Sequence, residues 1–131
     1  MPQIFTETTA GIKVSVETFY QAAQSQPLRS HFVFAYRITL VNDSMHTVQL
    51  KSRHWIITDA CGMTREVQGE GVVGEQPILE PGESFQYVSG CDFNTEIGIM
   101  KGSYKFERQI DMATFDVAIP EFMMTVPHKQ N

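Results

Sequence analysis

Phe32-Val33-Phe34-Ala35-Tyr36-Arg37-Ile38-Thr39-Leu40 carries a large apolar side chain at every second position. A period of two sends those side chains to one face of an extended backbone, so the stretch reads as a half-buried β-strand. Asn42-Asp43-Ser44 closes it with turn chemistry. Upstream, Ile12, Val14 and Val16 alternate with Lys13, Ser15 and Glu17, another strand. The intervening residues 21–30 are polar, contain Pro27 and lack an apolar stripe, so they read as a loop.

Downstream, the alternation changes phase. Val48 and Leu50 share one parity, whereas Trp55 and Ile57 take the other. One extra residue near Ser52-Arg53 would return both pairs to a common core, so a β-bulge is expected there. Ala60-Cys61-Gly62 then turns the chain. Further strands are expected at Thr64 to Gln68, around Phe85, Tyr87 and Ser89, over Met100, Gly102, Tyr104 and Phe106, and over Phe115, Val117 and Ile119. Cys91 to Gly98 reads as irregular, and residues 127–131 as a frayed tail. About seven short antiparallel strands with frequent turns specify an all-β fold, an immunoglobulin- or fibronectin type III-like β-sandwich. Trp55 suits the aromatic position that such sandwiches bury.

At 131 residues the chain fits one domain, taken as 1–131, with a sizeable core. Its 42% hydrophobic and 19% charged composition is that of an ordered globular protein. A net charge of -5 and scattered basic residues argue against nucleic acid as a partner, because phosphate binding needs a cationic field. Membrane insertion is not expected either, since no run approaches the roughly 18 apolar residues required. Met1 to Ala10 do not resemble a signal peptide. A cytoplasmic location is therefore expected, with Cys61 and Cys91 as reduced thiols.

Gly69-Glu70-Gly71-Val72-Val73-Gly74 spells GxGxxG, yet Pro77, Pro81 and Gly82 follow too closely for a helix to begin. A dinucleotide fingerprint requires that helix N-terminus for its pyrophosphate. An anion nest of backbone amides at Gly69, Gly71 and Gly74 remains as a candidate. Five glutamates and one arginine between Arg65 and Glu83 oppose it electrostatically. The same acids offer a candidate divalent-cation site at Asp59, Glu70 and Glu75. His31, His46, His54 and His128 have no zinc-site spacing, and neither cysteine lies in a CxxC. No serine sits in a GxSxG elbow. Cys91 with His54 is arithmetically available as a dyad, but an inert thiol is the simpler reading. An open sandwich also offers its sheet edges to a partner. Val117, Ile119 and Phe122 are the candidate interaction residues, with Pro120 expected to end their strand; the alternative is that the large apolar side chains after the proline cap the core at one end of the sandwich.

The chain resembles the bacterial ApaG family through Arg53-x-Trp55-x-Ile57-x-Asp59 and the block Gly69-x-Gly71-Val72-Val73-Gly74-Glu75-Gln76-Pro77. Leu79-x-Pro81-Gly82-x-x-Phe85-x-Tyr87-x-Ser89-Gly90, Gly98-x-Met100-x-Gly102-Ser103-Tyr104 and Phe115-x-Val117-x-Ile119-Pro120-x-Phe122 extend the likeness over nearly the whole chain. Cys61 departs from the pattern, which usually has Asn before the turn glycine. The resemblance implies a fibronectin-type sandwich without an established activity, and a genetic link to cobalt resistance and magnesium efflux. It also implies protein-interaction roles for related domains, and a nucleotide-binding suggestion attached to the glycine block.

Taken together, these readings lead to a non-enzymatic binding module whose partner is another protein or peptide, with homo-oligomerisation through sheet edges also open. The alternative is direct binding of a divalent cation or a nucleotide pyrophosphate by residues 69–77. No cofactor is expected beyond that cation.

Overall fold

The computed structural model describes residues 3–127. Among the described residues nine strands form two packed antiparallel sheets. They are β1 (Ile4–Thr9), β2 (Ile12–Tyr20), β3 (Phe32–Asn42), β4 (Val48–Asp59), β5 (Thr64–Glu70), β6 (Ile78–Leu79), β7 (Ser84–Phe93), β8 (Ile97–Arg108) and β9 (Thr114–Thr125). One sheet has the order β1-β2-β3-β7 and the other β5-β4-β8-β9, with β6 also paired to β4. The all-β sandwich anticipated from the alternation is the observed fold.

The strand at 32–42 alternates buried and half-buried residues without a break, as its period of two requires. Residues 21–31 are a connection, tightened by single-turn 3-10 helices at 22–24 and 27–29. β7 runs on to Phe93 and β8 starts at Ile97, so the stretch expected to be irregular shrinks to a three-residue turn. The expected frayed tail falls almost wholly on residues 128–131, outside the described residues.

Two bulges set the core. In β4, Leu50 pairs with Phe106 and Ser52 with Lys105, leaving Lys51 as the extra residue. The bulge thus lies one residue before the Ser52-Arg53 position read from the phase change. It turns Arg53, Trp55 and Ile57 inward beside Val48 and Leu50. In β9, Ile119 pairs with Gly102 and Phe122 with Met100, so Pro120 and Glu121 together oppose Lys101. Pro120 does not end the strand. It occupies a bulge on an edge strand, where its missing N–H leaves no ladder bond unmade.

The burial of β9 corrects the expectation for Val117, Ile119 and Phe122, the bulge returning Phe122 to the face of the other two. All three are core residues, exposed by 0%, 3% and 1%. Phe122 packs between the sheets, its ring 5.9 Å from both Tyr36 and Trp55 and 6.1 Å from Phe5. Their side chains are closed off from the surface.

Buried Asn42 closes the turn after β3. Its Nδ2 donates to the carbonyls of His46 (2.8 Å) and Leu79 (2.9 Å), and its Oδ1 accepts from the amide and hydroxyl of Ser44. One side chain so ties the β3–β4 turn to β6.

The two flanks of the sandwich differ. On one, β9 packs against β1 and β2, and the Ala118 amide donates to Thr9 Oγ1. On the other, β5 and β7 stand as edges of opposite sheets. Phe122→Ala should remove about 3–5 kcal/mol of stability, as expected for an aromatic side chain deleted from a packed interior. Urea unfolding followed by Trp55 fluorescence measures it, and a loss below 1 kcal/mol would contradict the core placement.

Candidate functional site

The glycine block forms a hairpin folded on itself. The Val72 amide donates to the Glu75 carbonyl (2.8 Å) and the Glu75 amide returns the bond to Val72 (2.9 Å). Val73 and Gly74 between them have φ of 43° and 80°, the two positive values of a type I′ turn. No helix follows Gly74. The chain runs past Pro77 into β6.

The glycines serve close approach, but not to a phosphate. Gly69 pairs with Arg53 across the β4–β5 ladder, and a Cβ on it would lie 2.8 Å from Arg53 Nη1. The guanidinium occupies that space, and Nη1 donates to the carbonyls of Glu70 (3.0 Å) and Gly71 (2.9 Å). Gly71 has φ +64°, and a Cβ there would stand 2.3 Å from the Glu75 carbonyl oxygen. Its amide donates to the Lys51 carbonyl at 2.9 Å. The amides of Gly71, Val72 and Glu75 are therefore spent within the chain, and the candidate nest at Gly69, Gly71 and Gly74 does not form a shared focus.

The candidate cation ligands are not brought together. Glu70 pairs with Ser52, and Asp59 lies seven residues further along β4, about 23 Å away at strand rise. Asp59 Oδ1 instead accepts the amides of Cys61 (2.9 Å) and Met63 (3.0 Å). Glu75 sits on the far limb of the glycine hairpin. Among the described residues no three His, Cys, Asp or Glu side chains converge on a point.

The imagined thiol dyad is separated too. Cys91 is buried on β7, whereas His54 has the parity opposite to core-facing Trp55 and bonds Glu66 on the outer face at 3.0 Å. Burial pushes the Cys91 thiol above its usual value, with the nearby Arg65 acting in the opposite sense. A protonated thiol is a poor nucleophile. Cys61 is exposed, and both cysteines are free.

The site that sequence reasoning passed over is a cleft of about 250 Å³ between β5 and β7. Its interior surface is formed by Tyr36, Trp55, Tyr87 and Met100, its rim by Val67 and Val73, and Arg53 enters beside the glycine hairpin. At the other end Arg65 bridges the sheets, donating from Nη2 to the Asp92 carbonyl and, at 3.2 Å, to Cys91 Sγ. The strand ladders leave main-chain groups unused on both sides. The Gly71 to Lys51 bond sets the β4–β5 pattern, which directs the N–H and C=O of Glu66 and Gln68 away from β4. The Asn42 to Glu83 bond does the same for Val88 and Gly90 on β7.

Hydroxyls gather at the cleft and just beneath it. Tyr87 and Tyr104 oxygens are 2.5 Å apart, and Tyr36 lies opposite Ser89 in the β3–β7 ladder. Burial holds the Tyr36, Tyr87 and Tyr104 phenols above the usual 10.0, opposed by the charge of Arg53. The signal for this site was present as tyrosines on inward positions and as Arg53 on the parity of Trp55. Reading the latter required the bulge to be placed at Lys51 first.

Two measurements check this geometry. Thermal unfolding of Gly→Ala variants should rank Gly71 as most damaging, by about 3 kcal/mol, since both positive φ and the carbonyl clash oppose it. Gly69→Ala and Gly74→Ala should each remove about 1–2 kcal/mol, whereas Val73→Asn should add about 1 kcal/mol by relieving a β-branched residue at positive φ. Equal effects at all four positions would contradict the hairpin. The second is a pH profile. Tyr36, Tyr87, Tyr104 and Cys91 ionise more readily unfolded than folded, so their contribution is complete below the unfolded values of 9.0 and 10.0 and is lost as pH rises above them. Stability between pH 9 and 11 should fall by more than about 1 kcal/mol per pH unit, and less steeply in Tyr36→Phe.

Comparison with known proteins locates this architecture. The family model described as ApaG domain matches residues 22–108. Protein ApaG of Brucella canis is 49% identical over 127 residues, 97% of either chain, and Protein ApaG of Paramagnetospirillum magneticum matches to the same extent. The crystal structure of a Bordetella pertussis protein described as ApaA superposes with a TM-score of 0.85 at 43% identity, covering 93% of this chain and 95% of that one. The chain belongs to the ApaG family.

Proposed function

We propose that the chain is a non-enzymatic binding module that takes up an extended segment of another protein along the flank between β5 and β7. The observation that carries this reading is the pair of facing strand edges, each with unpaired main-chain groups, on either side of a cleft with an apolar rim. An added strand would satisfy Glu66 and Gln68 on β5, or Val88 and Gly90 on β7, while one of its side chains entered the cleft. The chemistry of the walls favours binding over catalysis. Burial holds the phenols and the thiol in their neutral forms. Asp59, Glu70 and Glu75 stand apart, so among the described residues they assemble no ligand set for a metal-bound water. On this reading, the link to cobalt resistance and magnesium efflux implied by family resemblance acts through a bound protein.

Peptides selected from a displayed random library supply the test. Gln68→Pro removes an outward N–H from β5 without breaking the β4 ladder, and Val88→Pro does so on β7. One of the two should weaken a selected peptide at least tenfold while the melting temperature stays within a few degrees. Unchanged affinity in both variants would rule out strand addition at this flank.

A further inference from the structure

Arg37, Arg65 and Arg108 each face a carboxylate, on Glu17, Asp92 and Asp111. Arg53 does not: among the described residues no carboxylate oxygen lies within 4.0 Å of it. Its Nη1 is taken by the Glu70 and Gly71 carbonyls. Among the described residues Nε and Nη2 have no hydrogen-bond partner, and no buried polar side-chain atom lacks one. Those two nitrogens therefore reach solvent, from a side chain that lines the cleft.

The tyrosine pair adds a second donor. Tyr104 is 0% exposed, and among the described residues its hydroxyl bonds only that of Tyr87. If Tyr87 donated to Tyr104, the Tyr104 proton would be buried without an acceptor, at roughly 1–3 kcal/mol. The favoured order is Tyr104 donating to Tyr87, which leaves the Tyr87 proton for an acceptor in the cleft. Tyr87 lines that cleft and Tyr104 does not.

From this donor excess we infer that the cleft is a carboxylate pocket, in which Arg53 and Tyr87 bind the side chain of a glutamate on the docked segment. The inference rests on the binding-module reading and names the chemistry of its partner. Planar guanidinium and carboxylate suit each other geometrically. Val67, Val72 and Val73 offer apolar walls for the two methylenes of the stem. The volume of about 250 Å³ is below the range of pockets that enclose drug-sized ligands, and fits one side chain. Val67 and Ser89 lie midway along β5 and β7. A segment paired to either edge would run past the cleft in both directions, so it would present a side chain there and not its terminus. The net charge of -5 repels acids at long range, so recognition acts at contact and moderate salt does not abolish it.

Butyrate and butyramide, titrated into the full chain and followed by amide chemical shifts, test the pocket without any peptide. Butyrate should shift the amides of Gly69 to Gly71 and Ser89 to Cys91, and bind at least tenfold more tightly than butyramide. Tyr87→Phe should weaken butyrate at least fivefold, and Arg53→Lys should weaken it although charge is kept. Equal responses to acid and amide, tighter binding of inorganic phosphate, or wild-type affinity in both variants would each overturn the inference. A selected peptide forms the second arm: changing its glutamate to glutamine should cost tenfold in wild type and under threefold in Tyr87→Phe. Failure of strand addition shows separately, as peptide binding indifferent to Gln68→Pro and Val88→Pro while butyrate still binds.

Discussion

The structure turns on one inserted residue, Lys51. Without it, β4 could not send Val48 and Leu50 and also Trp55 and Ile57 into the same interior, because a strand shifts faces with every single-residue slip. The bulge has two further consequences. It turns Arg53 inward at the open flank, two ladder positions before Trp55. It also leaves the Lys51 carbonyl where both the Gly71 amide and Gln76 Nε2 can donate to it, at 2.9 and 2.8 Å. The core, the arginine and the hairpin that walls the cleft therefore depend on a single register offset.

A matching offset in β9 completes the interior. Gly102 of β8 pairs with Trp55 on one side and Ile119 on the other. The bulge at Pro120-Glu121 then brings Phe122 back inward against Trp55. Two phase changes on strands that flank β8 thus meet at one aromatic contact. Either alone would place a large ring in solvent or leave a void beside the indole, and close-packed interiors tolerate neither cheaply.

How much of this was legible depended on whether a residue's neighbours lay along the strand or across the sheet. The alternation at Phe32 to Leu40 reports burial on one face directly, so the sandwich could be read from it. The phase change in β4 was equally legible, and its position was missed by one residue because Lys51 and Ser52 are both polar. In β9 the proline reads as a terminator, since nothing local distinguishes a proline at an edge bulge from one that stops a strand. β1 was missed because IFTETT is exposed on both faces except at Phe5 and Thr9, and is held in place by its register with β2. The cleft was invisible for a related reason. Tyr36, Tyr87 and Tyr104 each look like ordinary core aromatics, and only the packing of the two sheets makes their hydroxyls neighbours.

The glycine block shows how little a spacing pattern says without its flanking elements. In a dinucleotide site, small residues let the backbone approach a pyrophosphate. Here they let it approach a guanidinium and a carbonyl oxygen, and the chain's own charge occupies the place that a ligand would take. What remains unaccounted for by stability alone is gathered at the same spot. Val73 holds a β-branched side chain at φ 43° and is 54% exposed, which relieves nothing in the core. Arg53 keeps donors pointed at solvent, and a pair of phenols is desolvated beside it. A sandwich selected only for stability would place Asn or Gly in that turn and an apolar side chain in that gap. Strain, unspent donors and buried hydroxyls coinciding at one open flank are the physical reason to look for function in the cleft and not in the motif that borders it.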